Sequence, residues 1–203
     1  GLAYAQASGN QVILSGGQIK TNAVGAIARK GLADGNHVTI SEGADALAVT
    51  GGIGESGAMG NSVLVIGGTL KGDATGGASR QGTAGGNQII LHGGQIGGSI
   101  LGGHSADRAA THNNVFLVPA PGGTPIVCQG DISGGQSDKG TAEHNGVRMG
   151  SGMVYGSIFG ARGSDRASSN HVDVESGTVQ GEVTGGEGTS QAVDNTVRLS
   201  GGS

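Results

Sequence analysis

Three short segments of the chain could carry chemistry, because in each an acidic residue directly precedes a basic one. They are Asp107–Arg108, Asp138–Lys139 and Asp165–Arg166. Clustered aspartates can bind Ca²⁺, and an arginine or lysine beside them can act as a general base, as in solenoid enzymes that cleave acidic polysaccharides. We favour the simpler interpretation, a solvated ribbon of ion pairs, because the charges alternate in sign and no aromatic platform for sugar rings lies nearby.

Histidines raise a second possibility, a metal site. His112 and His144 each precede an asparagine that recurs along the chain, and His37 and His171 each follow one. Two imidazoles could share a Zn²⁺ ion, but a closed site needs three or four ligands, and the spacing fixes no third one. We therefore predict no metal site, no cofactor and no catalytic residue.

Composition excludes several classes of protein. The chain has 203 residues, of which 46 are Gly, 3 are Pro and only 4 are Tyr or Phe, with a net charge of -4. This argues against a helical bundle, collagen and a nucleic-acid-binding protein, which would need a basic surface. The longest apolar run, around residues 115–120, is too short to span a membrane, so we expect no transmembrane segment. The single cysteine, Cys128, forbids an internal disulfide.

The elements that must position these residues follow from an internal repeat. The motif Ala-x-x-Asn-x-(Val/Ile)-x-apolar occurs eight times at spacings of 26, 25, 26, 26, 32, 25 and 25 residues. Its asparagines are Asn10, Asn36, Asn61, Asn87, Asn113, Asn145, Asn170 and Asn195. Apolar residues stand two, four, nine and thirteen positions after them, and glycines separate the segments.

A unit of this size cannot bury its apolar row alone, so each coil must stack on its neighbours. The predicted fold class is therefore all-β, a parallel β-solenoid (β-helix) of about seven coils of 25–26 residues with one proline-containing loop insertion. We predict two or three strands per coil, joined at glycine corners. Residues 1–203 are expected to form a single repeat domain, a fragment of a longer solenoid.

The repeated polar and small residues have predicted structural roles. We expect the eight asparagines to turn one corner of each coil and to form a hydrogen-bonded ladder of side-chain amides. The alanine three residues before each asparagine should sit inside a tight corner. The Gly-Gly pairs, such as Gly102–Gly103, should punctuate the strands and open a polar loop.

Departures from the repeat are where recognition could reside. Pro119, Pro121 and Pro125 all fall in the one 32-residue spacing, which predicts a surface loop that either carries recognition or is simply a tolerated insertion. Removing the six extra residues places Cys128 at an inward apolar position. Asp45 occupies a slot that is apolar elsewhere, and we expect a local register shift that turns Leu47 inward instead.

The segment from Asn87 to Gly103, closed by Ala110-x-x-Asn113, resembles the passenger repeats of bacterial autotransporter adhesins. The resemblance covers essentially the whole chain, through a pattern of Gly, Asn and aliphatic residues that other β-solenoids share. It implies an extracellular rod at the bacterial surface, anchored in the outer membrane through a domain outside these residues. It also implies roles in adhesion, autoaggregation or biofilm formation.

Three functions therefore remain open at this point. The leading hypothesis is a non-enzymatic surface rod that contacts a host or bacterial glycan or protein, or a copy of itself. Its candidate recognition surface comprises Pro119, Pro121, Pro125, Asp107, Arg108, Asp138, Lys139, Asp165 and Arg166. The alternatives are a polysaccharide-active β-helix enzyme or phage-spike-like depolymerase, and a self-assembling stalk or filament subunit.

Overall fold

The computed structural model describes residues 1–202, which form a stack of about eight coils built from β-strands, with no helix among them. In chain order the first sixteen strands are β1 (Leu2–Ala3), β2 (Ala7–Ser8), β3 (Gln11–Leu14), β4 (Gly17–Gln18), β5 (Ala23–Ala28), β6 (Leu32–Asp34), β7 (His37–Ile40), β8 (Ala44–Ala46), β9 (Val49–Gly54), β10 (Gly57–Met59), β11 (Ser62–Val65), β12 (Thr69–Leu70), β13 (Ala74–Ser79), β14 (Thr83–Gly85), β15 (Gln88–Leu91) and β16 (Gly94–Ile96). The remaining strands are β17 (Ile100–Ser105), β18 (Ala110–Thr111), β19 (Asn114–Leu117), β20 (Ile126–Cys128), β21 (Ile132–Ser137), β22 (Ala142–Glu143), β23 (Gly146–Met149), β24 (Met153–Val154), β25 (Ile158–Gly163), β26 (Arg166–Ser168), β27 (His171–Val174), β28 (Thr178–Val179), β29 (Val183–Thr184), β30 (Glu187–Gly188), β31 (Gln191–Val193) and β32 (Thr196–Leu199).

Every fourth strand of the chain belongs to the same parallel sheet, so each coil visits four sheets in turn. Sheet A begins β1-β5-β9, sheet B begins β2-β6-β10, sheet C begins β3-β7-β11 and sheet D begins β4-β8-β12. In the last coil the sheet A strand is divided, because β29 and β30 both pair with β25. The predicted parallel β-solenoid is confirmed, with about eight coils close to the seven expected.

The internal layout of a coil differs from the prediction in two respects. Each coil has four strands rather than two or three. The Gly-Gly pair Gly102–Gly103 lies in the middle of the six-residue strand β17 of sheet A, not at a corner. A Cβ atom on Gly102 would overlap the carbonyl oxygen of Gly134 in the next coil, so this glycine is required by close stacking of the backbone.

The alanines also lie elsewhere than predicted. They occupy the short strands of sheet B, where Ala58 pairs in register with Ala33 and Ala84, rather than a tight corner. All but the terminal Ala192 are buried. Sheet A packs close behind them, since Ala33 and Ala7 form one buried cluster with Ala26 and Ala28 of sheet A. A larger side chain at these positions would therefore force the two sheets apart.

The core runs the length of the stack as rows of identical positions. Val38, Val63 and Ile89 pair in register in sheet C, and the other apolar positions of the repeat form rows in sheets C, D and A. Fully burying one such side chain stabilises the fold by about 1.5–3 kcal/mol. The predicted period of two in sheet C therefore places alternate residues of its strands in the buried core.

Cys128 occupies the inward position predicted for it. It pairs in register with Ile96 on one side and Val154 on the other, and its side chain is buried. Burial away from water raises the pKa of the thiol to about 12, and the opposing effect of the Gly130 backbone is smaller. The residue therefore packs as a small hydrophobic side chain.

The eight repeat asparagines stack into one continuous ladder. The Nδ2 atom of each donates to the Oδ1 atom of the next at 2.8–3.1 Å. From Asn36 onward, the Nδ2 atom of each asparagine also donates to the carbonyl of an alanine in the preceding coil at 2.8–3.0 Å. The backbone N–H of each asparagine up to Asn170 also donates to that next Oδ1 atom. The six amides from Asn36 to Asn170 are buried and hydrogen-bonded inside the wall between sheets B and C, whereas those of Asn10 and Asn195 at the two ends are half-buried.

The corner beside this ladder is turned by the residue before each asparagine, which corrects the prediction that the asparagine itself makes the turn. Its φ is 59–64° in the first four coils, where it is glycine: Gly9, Gly35, Gly60 and Gly86. In the last four coils φ is 54–56° and the residues are His112, His144, Ser169 and Asp194. Non-glycine residues at such φ values cost about 1 kcal/mol or more.

The register shift predicted around Asp45 is present, but its details differ. Asp45 faces outward, with Thr69 and Gln18 as its neighbours in sheet D. Ala46 pairs with Leu70 and fills the inward position, while Leu47 is 46% exposed. The prediction that Leu47 turns inward is therefore wrong, because the corner from Ser41 to Gly43 takes up one extra residue before the strand begins.

Candidate functional site

The predicted charged row lies at the corner between sheets A and B, where the chain leaves β17, β21 and β25. We call Asp107, Arg108, Asp138, Lys139, Asp165 and Arg166 the charged edge. Two serines stabilise the first two turns of the charged edge. Ser105 and Ser137 end their strands, and their hydroxyl oxygens accept hydrogen bonds from the backbone N–H groups of Arg108 at 3.0 Å and Gly140 at 2.8 Å. The same hydroxyls donate to carbonyls of the preceding coil, those of Gly82 and Arg108.

These serines are not among the residues predicted from the sequence, although a signal was present. Ser79, Ser105 and Ser137 stand eight residues before three successive repeat asparagines and are nearly fully buried. Each serine closes a turn within its coil, and Ser105 and Ser137 also link to the coil before. Ser105 and Ser137 therefore fix the positions at which the first two charged pairs leave the rod.

Within the charged edge, the structure joins only one cross-coil pair. Lys139 Nζ lies 2.7 Å from Asp107 Oδ1, and this hydrogen bond is the main cause that raises the pKa of the lysine above its usual value. Lys139 is thus a protonated partner of a carboxylate and is unsuited to act as a general base. Among residues 1–202, neither Arg108 nor Asp165 forms a side-chain ion pair.

Asp138 is engaged by neighbours on the outer face of sheet A instead. His104 Nε2 lies 2.9 Å from its Oδ2 atom, and Gln136 donates to its Oδ1 atom at 3.2 Å. The aspartates of the edge therefore do not converge on one point. In the part of the chain that the structure describes, no group of three or more His, Cys, Asp or Glu side chains could hold a metal ion.

A second charged group, which sequence reasoning did not find, adjoins the edge on sheet A. The guanidinium of Arg162 lies 3.6 Å from the centre of the Phe159 ring, bonds Asp131 at 2.5 Å and approaches Glu187 at 3.8 Å. Burial alone would raise the pKa of Asp131, but the backbone N–H of Ser157 and the guanidinium outweigh it and lower that pKa. Only the pairing of β21 with β25 brings Asp131 and Arg162 together.

Asp138, Arg162 and Glu187 line one shallow groove with Gln136 and Ser164. The groove joins the charged edge to the outer face of sheet A. It presents carboxylates, a guanidinium, a carboxamide and a hydroxyl over neighbouring coils. Such a surface can hydrogen-bond the hydroxyls of a sugar or the backbone of a peptide.

The three prolines lie at the opposite corner of the coil, between sheets C and D. The backbone N–H of Ala120 donates to the carbonyl of His92 at 3.1 Å, and the N–H of Gly94 donates to that of Pro125 at 3.2 Å. A turn from Ala120 to Gly123 is closed by a 3.0 Å hydrogen bond. The loop is exposed but lies back against the preceding coil, so the structure does not unite it with the charged edge.

The structure does not bring together the four histidines considered for metal binding. Two of them lie against other residues, and the other two stack on each other. His37 Nδ1 is bound to the hydroxyl of Ser62, and its Nε2 lies 3.1 Å from that of Thr39. The ring of His171 lies over Gly146. His112 and His144 are stacked, with their ring centres 4.9 Å apart and their planes 4° from parallel.

Comparison with known protein families, with characterised proteins and with solved structures finds no match to this chain. Among residues 1–202, no helix is long and apolar enough to cross a membrane.

Proposed function

We propose that this protein is a non-enzymatic adhesive rod of the bacterial cell surface, similar to autotransporter passengers. The observation that carries the proposal is the asparagine ladder, which runs through all eight coils without a break. A continuous ladder keeps the coils in register, so exposed residues repeat about every 4.8 Å along a stiff axis. This arrangement suits many weak contacts with an extended partner.

The recognition surface we propose is the charged edge together with the groove around Arg162. Its side chains offer donors and acceptors on successive coils, and several are fixed by pairs such as Arg162–Asp131 and His104–Asp138. Preorganised polar groups lose little entropy on binding. A surface glycan or an extended protein segment along the rod axis matches this surface.

The test is adhesion of particles coated with the purified chain. We expect the beads to bind bacterial or host cells or a glycan array, or to aggregate one another. Arg162→Ala combined with Lys139→Ala should weaken that binding at least tenfold. A matched control, Arg29→Ala combined with Arg80→Ala, removes two cations from the same edge in the N-terminal coils and should leave binding unchanged. Absence of all binding by the unaltered chain contradicts the proposal.

The same preparation tests the enzymatic alternative. Acidic polysaccharides incubated with and without Ca²⁺ should remain intact if the rod is purely adhesive. Turnover that Asp138→Ala abolishes would replace the adhesive function with a catalytic one. The surrounding pairs argue against this outcome, because Lys139 is held protonated by Asp107.

A further inference from the structure

The corner that precedes the asparagine ladder contains a departure from the repeat that the adhesive function does not use. Four coils turn it with glycine, and a Cβ atom on Gly35 would meet no atom within 4 Å. The position therefore points into solvent, and nothing in the packing calls for a side chain there. His112 and His144 nevertheless adopt the same conformation, with φ of 56° and 55°.

The imidazoles of this pair are exposed and available as ligands. No hydrogen bond to a ring nitrogen of His112 or His144 occurs within residues 1–202, whereas His37, His92 and His104 each have one. Register between the coils sets the two rings 4.9 Å apart and nearly parallel. Ser169 and Asp194 adopt the same conformation in the last two coils, so the backbone strain is shared, and what distinguishes His112 and His144 is the pair of adjacent imidazoles.

The half of the chain that contains the pair carries the net negative charge. Residues 103–203 carry ten of the fifteen acidic side chains but six of the eleven basic ones, so the net negative charge of the chain resides there. Glu143 directly precedes His144 in the sequence. Imidazole nitrogens are ligands for Zn²⁺, Cu²⁺ and Ni²⁺ rather than for Ca²⁺ or Mg²⁺.

We propose that His112 and His144 form a two-histidine binding site for a transition-metal cation, with its remaining positions open to water or to a partner's ligand. Metal–nitrogen bonds of about 2.0–2.1 Å require the two nitrogens to approach within about 4 Å. The rings therefore tilt toward each other when the ion binds, which their exposure allows. With two protein ligands the site binds more weakly than a closed structural site.

The experiment uses the chain without a polyhistidine tag, titrated calorimetrically with Zn²⁺ and, separately, with Cu²⁺. We expect one saturable site that binds Cu²⁺ more tightly than Zn²⁺, as the divalent series requires. His112→Gly and His144→Gly should each weaken binding at least tenfold. Both variants should fold, because glycine is the residue found at this corner in the first four coils.

His171→Gln is the matched control, since it removes an imidazole from the adjacent sheet and should leave the affinity unchanged. Electron paramagnetic resonance of the Cu²⁺-bound chain provides a second measurement and should show two coordinated nitrogens, reduced to at most one in either glycine variant. Equal affinity in the unaltered chain and His112→Gly, or no saturable binding below millimolar metal, overturns the proposal. Because adhesion is not the readout, this result is independent of the function proposed above.

Discussion

The first four coils and the last four share one interior and differ in nearly everything outside it. In both halves the asparagine ladder, the sheet B alanines and the apolar rows keep their register. The corner before the asparagine changes from glycine to His112, His144, Ser169 and Asp194. On sheet A, the outward residues change from Ile27, Ile53 and Ala78 to His104, Gln136, Arg162 and Glu187.

This difference separates the residues that make the rod from those that give it a surface. Positions within the wall are restricted because their neighbours above and below are the same residue of the next coil. Outward positions have solvent on one side and can vary without affecting the stack. Substitutions in shared columns should therefore have large and similar effects in the two halves, and substitutions in the differing columns should have small ones.

The largest effect is expected at the first glycine of the Gly-Gly pair. Gly102→Ala places a Cβ atom on the carbonyl oxygen of Gly134, where the backbone of the next coil cannot yield. We expect a loss of about 4 kcal/mol or more in the free energy of unfolding, measured by urea denaturation. Gly16→Ala is the control, because a Cβ atom there would meet only the carbonyl oxygen of Gly43, at 3.9 Å. Equal stability of the two variants would contradict the stacking argument.

Breaking the asparagine ladder should cost nearly as much in either half. Asn87→Ala and Asn145→Ala each remove a buried amide and leave one backbone carbonyl and one backbone N–H of the preceding coil without that hydrogen bond. Two or more unsatisfied buried groups predict a loss of about 3 kcal/mol. Thermal or chemical unfolding of both variants measures it. A difference between them larger than about 1 kcal/mol would mean that the halves do not share one interior.

A pH-dependent effect is expected only in the half that contains Cys128. Its folded pKa of about 12 lies above the ordinary 9.0, so the thiolate forms first in the unfolded chain. Stability is unaffected below pH 9 and falls as pH rises toward 12, by up to about 1.4 kcal/mol per pH unit. Urea unfolding at pH 8, 9, 10 and 11 measures the slope.

Cys128→Val provides the matched control for that series, because Val154 holds the same position in the next coil. The variant should lose less stability than the unaltered chain above pH 9, since other titrating groups are common to both. Parallel curves would show that the thiol is ionised as easily in the folded chain as in the unfolded one.

The smallest effects should come from the corner at which the halves differ. Exchanging residues between coils, with Gly86→Ser and Ser169→Gly, should lower and raise the free energy of unfolding by about 0.5–1 kcal/mol respectively. The reason is that only the non-glycine residue is strained at φ near 55°. If both substitutions lower stability, Ser169 makes a contact that outweighs its strain.

The overall fold could be predicted from the sequence because the same motif occurs eight times, and each copy indicates the same arrangement of strands. An asparagine at nearly constant spacing, with aliphatic residues two and four positions later, is compatible with stacked parallel strands and with little else. Cys128 was placed correctly for the same reason, once the six-residue insertion was subtracted. Local assignments were weaker, since Gly102–Gly103 looks like a turn although it lies within a strand.

The sequence by itself determined the solenoid, the position of its buried rows and the place of the one loop insertion, because these depend on periodicity alone. Only the tertiary structure decided which side chains of different coils meet. Lys139 pairs with Asp107, Arg162 pairs with Asp131, and His112 stacks on His144. The two members of each pair are more than 30 residues apart in the sequence and lie in neighbouring coils. Such pairs depend on the register and on the direction in which each corner projects, and neither is encoded at any single position.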